Sequence, residues 1–248
     1  MGTDMRAFFR ALRVDLAKAL WGRWFVIAVL ATLFSLWLGI SQQLRGMGDY
    51  LMYNDEPHWA GMLDQALQGS FAQLSLPALS ALPAAGLALL ELQAGAARSA
   101  IFRVGWQPYR AGKMLAALAG GIVVQAAGIG LLMGLMHAIR LYALGAPIPW
   151  AAWQGIGPPA LARIMCGGIW SGAGSLLALL TGTASAATVG PLCLCYGLMM
   201  VGTRFFPDTA WVNPLSWLGG ASWLPWAVLG VIMLLLWAVL GRKVRQHV

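Results

Sequence analysis

Charge is what this chain has least of: only 10% of its 248 residues are Asp, Glu, Lys or Arg, against roughly a quarter in an ordinary soluble domain. With 60% hydrophobic residues and a mean hydropathy of +0.72, that scarcity excludes a soluble globular domain and leaves a membrane protein. Histidine is scarcer still. His58, His137 and His247 fall in an outside loop, at the outer end of an apolar run and at the extreme C-terminus. None of them sits where a rhomboid-like Ser–His dyad needs its base. His-Glu-x-x-His is absent, which removes the corresponding zinc protease pattern.

Cysteine is limited to Cys166, Cys193 and Cys195, all in apolar segments, so no disulfide framework is implied. Cys193 and Cys195, with Met199 and Met200 nearby, suggest a copper path. Residues two apart on a helix, however, point about 200° apart, and the thiols read instead as small packing groups. Gly112-Lys113 lacks the rest of a phosphate loop, because position 107 is Gln and Met114 follows the Lys. There is no internal repeat of the kind common in secondary transporters. The residues therefore point to no catalytic, cofactor-binding or metal-ligating set.

What is present is a series of apolar runs. Six are long enough to cross a bilayer: 24–40, 71–92, 114–139, 160–181, 185–202 and 223–240. They lack the ten-residue alternation of a barrel strand, so the expected fold class is an all-α polytopic membrane protein with six transmembrane helices in a single domain, 1–248. Residues 4–22 place Met5, Phe8, Phe9, Leu12, Leu16 and Leu20 at helical spacing opposite Arg6, Arg10 and Arg13. This predicts an amphipathic elbow helix in the interface. No small-x-small cleavage pattern follows the first run, so that span is expected to stay in the mature chain.

Twelve of the sixteen cations fall on one side if the N-terminus is inside: Arg6, Arg10, Arg13, Lys18 and Arg23, then Arg98, Arg103, Arg110 and Lys113, then Arg242, Lys243 and Arg245. The excess predicts both termini in the cytoplasm. It also makes membrane lipid, and not nucleic acid, the first explanation of the net charge of +8. Residues 41–70 form the longest polar connection. Residues 203–222 read as an outer-leaflet re-entrant segment, and Trp59, Trp150, Trp153, Trp211, Trp217, Trp223 and Trp226 as an outer aromatic belt.

Small residues, Gly120, Gly121, Gly128, Gly130 and Gly134, then Gly167, Gly168, Ser171, Gly172, Gly174 and Ser175, predict close packing of the third and fourth spans. Two ionisable residues within the spans invite polar pairing: Glu91 with Arg98 or Lys113, and Arg163 with Asp208 or Asp64.

Between the second and third spans lies GAARSAIFRVGWQPYRAGK, a cationic stretch with no acid in it. With LELQAGAARSAIFRVGWQPYRAGKMLAAL around it, and in particular Glu91, Gly95, Arg98, Arg103, Tyr109, Arg110 and Lys113, the chain resembles the membrane subunit of an ABC-2-type ABC exporter. Within that family it looks most like the small permeases that include lantibiotic-immunity and bacitracin-export subunits. Asn213-Pro214, in the broken segment before the last span, adds to the likeness.

The resemblance implies that 95–110 is a coupling segment docking on a separate cytoplasmic ABC ATPase subunit, present in two copies. Arg98 and Arg103 would meet acidic groups there, with Ile101, Phe102 and Trp106 as apolar anchors. It implies no cofactor on this chain, with ATP and Mg held by the partner. It further implies a second permease, the same or a homologous chain, and export of an amphipathic or hydrophobic peptide, lipid or drug across a cell membrane, the bacterial inner membrane being the expected one. Two other classes remain open: an intramembrane enzyme acting on lipid or peptide, with Ser171, Ser175 or Ser185 as its nucleophile, and a scaffold or sensor without transport.

Overall fold

Proline marks where helices begin in this chain. Pro108, Pro158, Pro159 and Pro225 each lie in the first turn of a long helix, where the missing N–H would have no intrahelical partner and the fixed φ suits entry. A computed structural model describes residues 2–45, 59–149, 157–209, 211–214, 216–218 and 223–247. In chain order the helices are α1 Gly2–Leu20, α2 Arg23–Arg45, α3 Trp59–Gln68, α4 Ser70–Ala81, α5 Leu87–Gln93, α6 Ala96–Val104, α7 Trp106–Leu144, α8 Gly157–Thr181, α9 Ala186–Phe205 and α10 Leu224–His247, with a 3-10 turn at Ser216–Leu218. Among the described residues there is no strand.

Five helices, α2, α7, α8, α9 and α10, are long and apolar enough to cross a membrane. The run at 71–92, expected as one span, is instead two helices joined by turns over Leu82–Gly86. Pro83 accounts for the break, since it has no N–H to give and crowds the preceding turn. The chain continues to turn helically, with Ala85 N–H donating to the Ala81 carbonyl and Leu90 N–H to that of Gly86. By contrast α7 has 39 residues, about 58 Å at the helical rise, and so extends well beyond the expected 114–139.

α8 is the hub. It packs against α3, α4, α5, α7, α9, α10 and the 3-10 turn, and small residues allow this. A Cβ on Gly121 would strike the Gly167 carbonyl, and one on Gly167 would lie 2.5 Å from Gln125 Cγ. The backbones of α7 and α8 therefore touch, as the glycine pattern implied.

Two apolar clusters flank this contact. One gathers Leu89, Leu118, Ile169, Trp170, Leu179, Leu236 and Leu240; the other gathers Leu36, Ile40, Leu63, Leu76, Leu132 and Met136.

Two expectations need correction. Part of the polar connection 41–70 is helix α3, whose Trp59, Met62, Leu63, Ala66 and Leu67 are buried against the second cluster. The aromatic belt is also incomplete: Trp211, Trp223 and Trp226 are exposed, but Trp59 and Trp217 are buried, Trp217 stacking on Trp170 at 5.9 Å between ring centroids. Trp150 and Trp153, and residues 210, 215 and 219–222 of the expected re-entrant segment, lie outside the described residues. The rest of that segment comprises the end of α9, turns and the 3-10 helix.

Candidate functional site

At the junction of α1, α5 and α7, four charged side chains form an alternating row. Lys113 Nζ lies 2.5 Å from Asp15 Oδ1 and 2.6 Å from Glu91 Oε2, while Lys18 Nζ lies 2.9 Å from Glu91 Oε1. Tyr109 O–H donates to Glu91 at 3.4 Å, and its ring lies 5.4 Å from the Lys113 ammonium. Lys113 is 5% exposed. Two carboxylates, one from α1 and one from α5, thus meet the enclosed Lys113 side chain.

Each member is placed by its element. Asp15 and Ala19 share the buried face of α1 that packs on α7. Glu91 is carried inward by the short α5, which exists because Pro83 ends the helix before it. Tyr109 and Lys113 are four apart on α7 and so share a face. The expected Glu91–Lys113 pair is present. Asp15 and Lys18 complete the row from the N-terminal helix, whose inner face had been read only as apolar. The Lys18 hydrogen bond to Glu91, aided by the charges of Glu91 and Asp15, raises the Lys18 pKa above the ordinary lysine value despite partial burial.

Arg110, next to this row, faces another way. Its guanidinium lies 4.0 Å from the Trp237 ring centroid and donates to the Trp237 carbonyl, tying α7 to α10. The close approach needs Gly241, where a Cβ would come within 2.6 Å of Arg110 Nη2.

The segment expected at 95–110 is divided. Gly95 (φ 70°) and Gly105 (φ 91°) bracket α6, both in the backbone region that glycine adopts without strain. Residues 106–110 are the first turns of α7. Phe102 is 89% exposed, and Arg98 and Arg103 are exposed beside it. Arg103 donates to the Ser99 carbonyl at 3.1 Å. Ile101 and Trp106 are half-buried against the chain's own core, and Arg110 lies 6.0 Å from the Trp106 ring. α6 thus turns Phe102, Arg98 and Arg103 outward, while Ile101 and Trp106 face the bundle.

Arg163 departs from expectation. It is 6% exposed on α8, Nε and Nη2 have no hydrogen-bond partner, and among the described residues it forms no ion pair with Asp64 or Asp208. Asp64 instead accepts from Gln68 at 2.8 Å.

Of the serines weighed as nucleophiles, Ser171 Oγ donates to the Ala117 carbonyl at 2.6 Å and Ser175 Oγ is buried without a partner. Ser185 precedes the first turn of α9. Cys193 is exposed and Cys195 buried, as residues two apart on a helix must be when one faces the bundle. Family models, curated proteins and solved structures, each compared with the chain, give no match.

Proposed function

We propose that this chain is the membrane-spanning permease subunit of an ATP-driven ABC exporter, moving an amphipathic or hydrophobic substrate with a separate ATPase subunit as its motor. The observation that carries the reading is α6: a nine-residue cationic helix set off by two positive-φ glycines, presenting Phe102 at 89% exposure. An aromatic side chain held out among arginines fits an apolar notch with an acidic rim on a partner.

Force applied to α6 has a short route into the bundle. α6 packs against α1, α5 and α7, the three helices that the charge row ties together. A push can do work only if the partner's nucleotide states bind α6 differently. In this account α4 and α5 make a sixth, broken crossing, both termini lie in the cytoplasm, and two permease chains meet two ATPase subunits in a bacterial cell membrane.

The test is site-specific photo-crosslinking in native membranes. A photoreactive residue at Phe102 should capture an ABC ATPase subunit. The same residue at Tyr142, 95% exposed near the far end of α7, should capture none. Capture of no ATPase from Phe102, with the chain inserted, would overturn the reading.

A further inference from the structure

A cleft of about 450 Å³ opens beside the charge row, between α1, α6 and the start of α7. Four cations reach its lining, Arg10, Lys18, Arg103 and Lys113, with two carboxylates, Asp15 and Glu91. Both carboxylates are already engaged by Lys113 and Lys18. Arg10 and Arg103 are exposed, and neither forms an ion pair among the described residues. The cleft therefore holds two positive charges beyond those its own acids neutralise.

Its surroundings are apolar in a particular way. Val14, on the cleft wall, is 49% exposed. One turn beyond Lys18 comes Trp21, 91% exposed, and α2 then opens with Arg23 and Trp24, the Arg23 guanidinium 5.6 Å from the Trp24 ring. Aromatic and cationic side chains mixed in this manner settle at the level of lipid headgroups.

We propose that this cleft binds a phosphate-bearing anion, the headgroup of an acidic phospholipid, through Arg10 on α1 and Arg103 on α6. Guanidinium forks match phosphate oxygens, two donors to two acceptors. Val14 on the cleft wall offers apolar contact to the glycerol portion, which favours a lipid over a soluble phosphate. A bound headgroup clamps α1 to α6 and sets the angle at which Phe102 is presented. This site needs only that the chain spans a membrane, and it stands whether or not an ATPase is the partner.

The test uses the full chain purified in neutral detergent and incubated with phosphatidylglycerol or phosphatidylcholine, with retained lipid counted by native mass spectrometry. Wild type should retain phosphatidylglycerol in preference to phosphatidylcholine. Arg10→Gln with Arg103→Gln should lower retention by about tenfold or more, since each cation near a lipid surface contributes appreciably to anion binding. Arg13→Gln with Arg242→Gln, removing equal charge from outside the cleft, should leave retention unchanged. Arg10→Lys with Arg103→Lys should recover part of it, which a merely misfolded double variant would not do.

Millimolar inorganic phosphate supplies the second arm. If it raises the thermal midpoint of wild type but not of the Gln double variant, and phosphatidylglycerol is not retained, the phosphate site stands and its occupant is a soluble anion. Equal retention of both lipids, equal loss in both Gln doubles, or no response to either anion overturns the proposal.

Discussion

Lys113 is the residue on which the candidate site turns. Its ammonium is shared between Asp15 and Glu91, so Lys113→Met strands the buried Asp15 carboxylate and leaves Glu91 with Lys18 alone. The expected loss is on the order of 3 kcal/mol, the range for breaking a buried pair by removing one partner, read as a lowered thermal midpoint in detergent. Adding Asp15→Asn to Lys113→Met should restore part of it, because one stranded charge is gone. An additive double variant would show that the two do not interact. The sequence offered half of this row: Glu91 next to a cationic stretch is legible, whereas Asp15 was hidden because an acid on an amphipathic helix reads as a solvated charge.

Lys18 adds a pH dependence with a definite sign. A pKa raised on folding contributes stability that is fully present below the ordinary lysine value and is lost as pH rises through the folded one. Thermal midpoints measured from neutral to strongly alkaline pH should therefore fall late. Lys18→Met should lower the midpoint modestly at neutral pH, where that contribution is fully present, and flatten the alkaline fall.

At the scale of elements, backbone contact between α7 and α8 decides whether the bundle forms. Gly121→Val should abolish the monodisperse protein on gel filtration, since even a Cβ there strikes the Gly167 carbonyl. Gly130→Val in the same helix should be tolerated, because nothing lies within 4 Å of a Cβ at that position. Equal behaviour of the two would mean that α7 and α8 are not in register as described.

Which elements were legible followed from length. Runs of twenty apolar residues announce α2, α8, α9 and α10 directly. α3 was missed because a ten-residue helix with Asp64 and Gln65 in it does not raise a long-window average, although Trp59, Met62, Leu63, Ala66 and Leu67 keep a helical period. The break after α4 had a signal in Pro83, outweighed in the reading by continuous hydrophobicity. The division at Gly105 had a signal too, but a glycine in a cationic stretch is also compatible with one unbroken loop.

For the whole molecule, the proposed function requires that a partner outside the bundle move it through a chain with little charge. α6 is exposed at one end and packs against α1, α5 and α7, which the charge row ties together, and α7 runs about 58 Å along the molecule. Topology follows from the same picture. In a variant lacking the native cysteines, Ser99→Cys should react with an impermeant maleimide only after the cytoplasmic face is opened, and Tyr142→Cys in intact cells.

The most direct measurement is purification of the tagged chain from its native membrane, followed by assay of what accompanies it. The account predicts an ABC ATPase subunit in stoichiometric amount, ATP hydrolysis in the purified complex, and loss of both when Phe102→Ala and Arg98→Ala are combined in a chain that still inserts. A chain that comes through several mild detergents with no ATPase beside it would contradict the account.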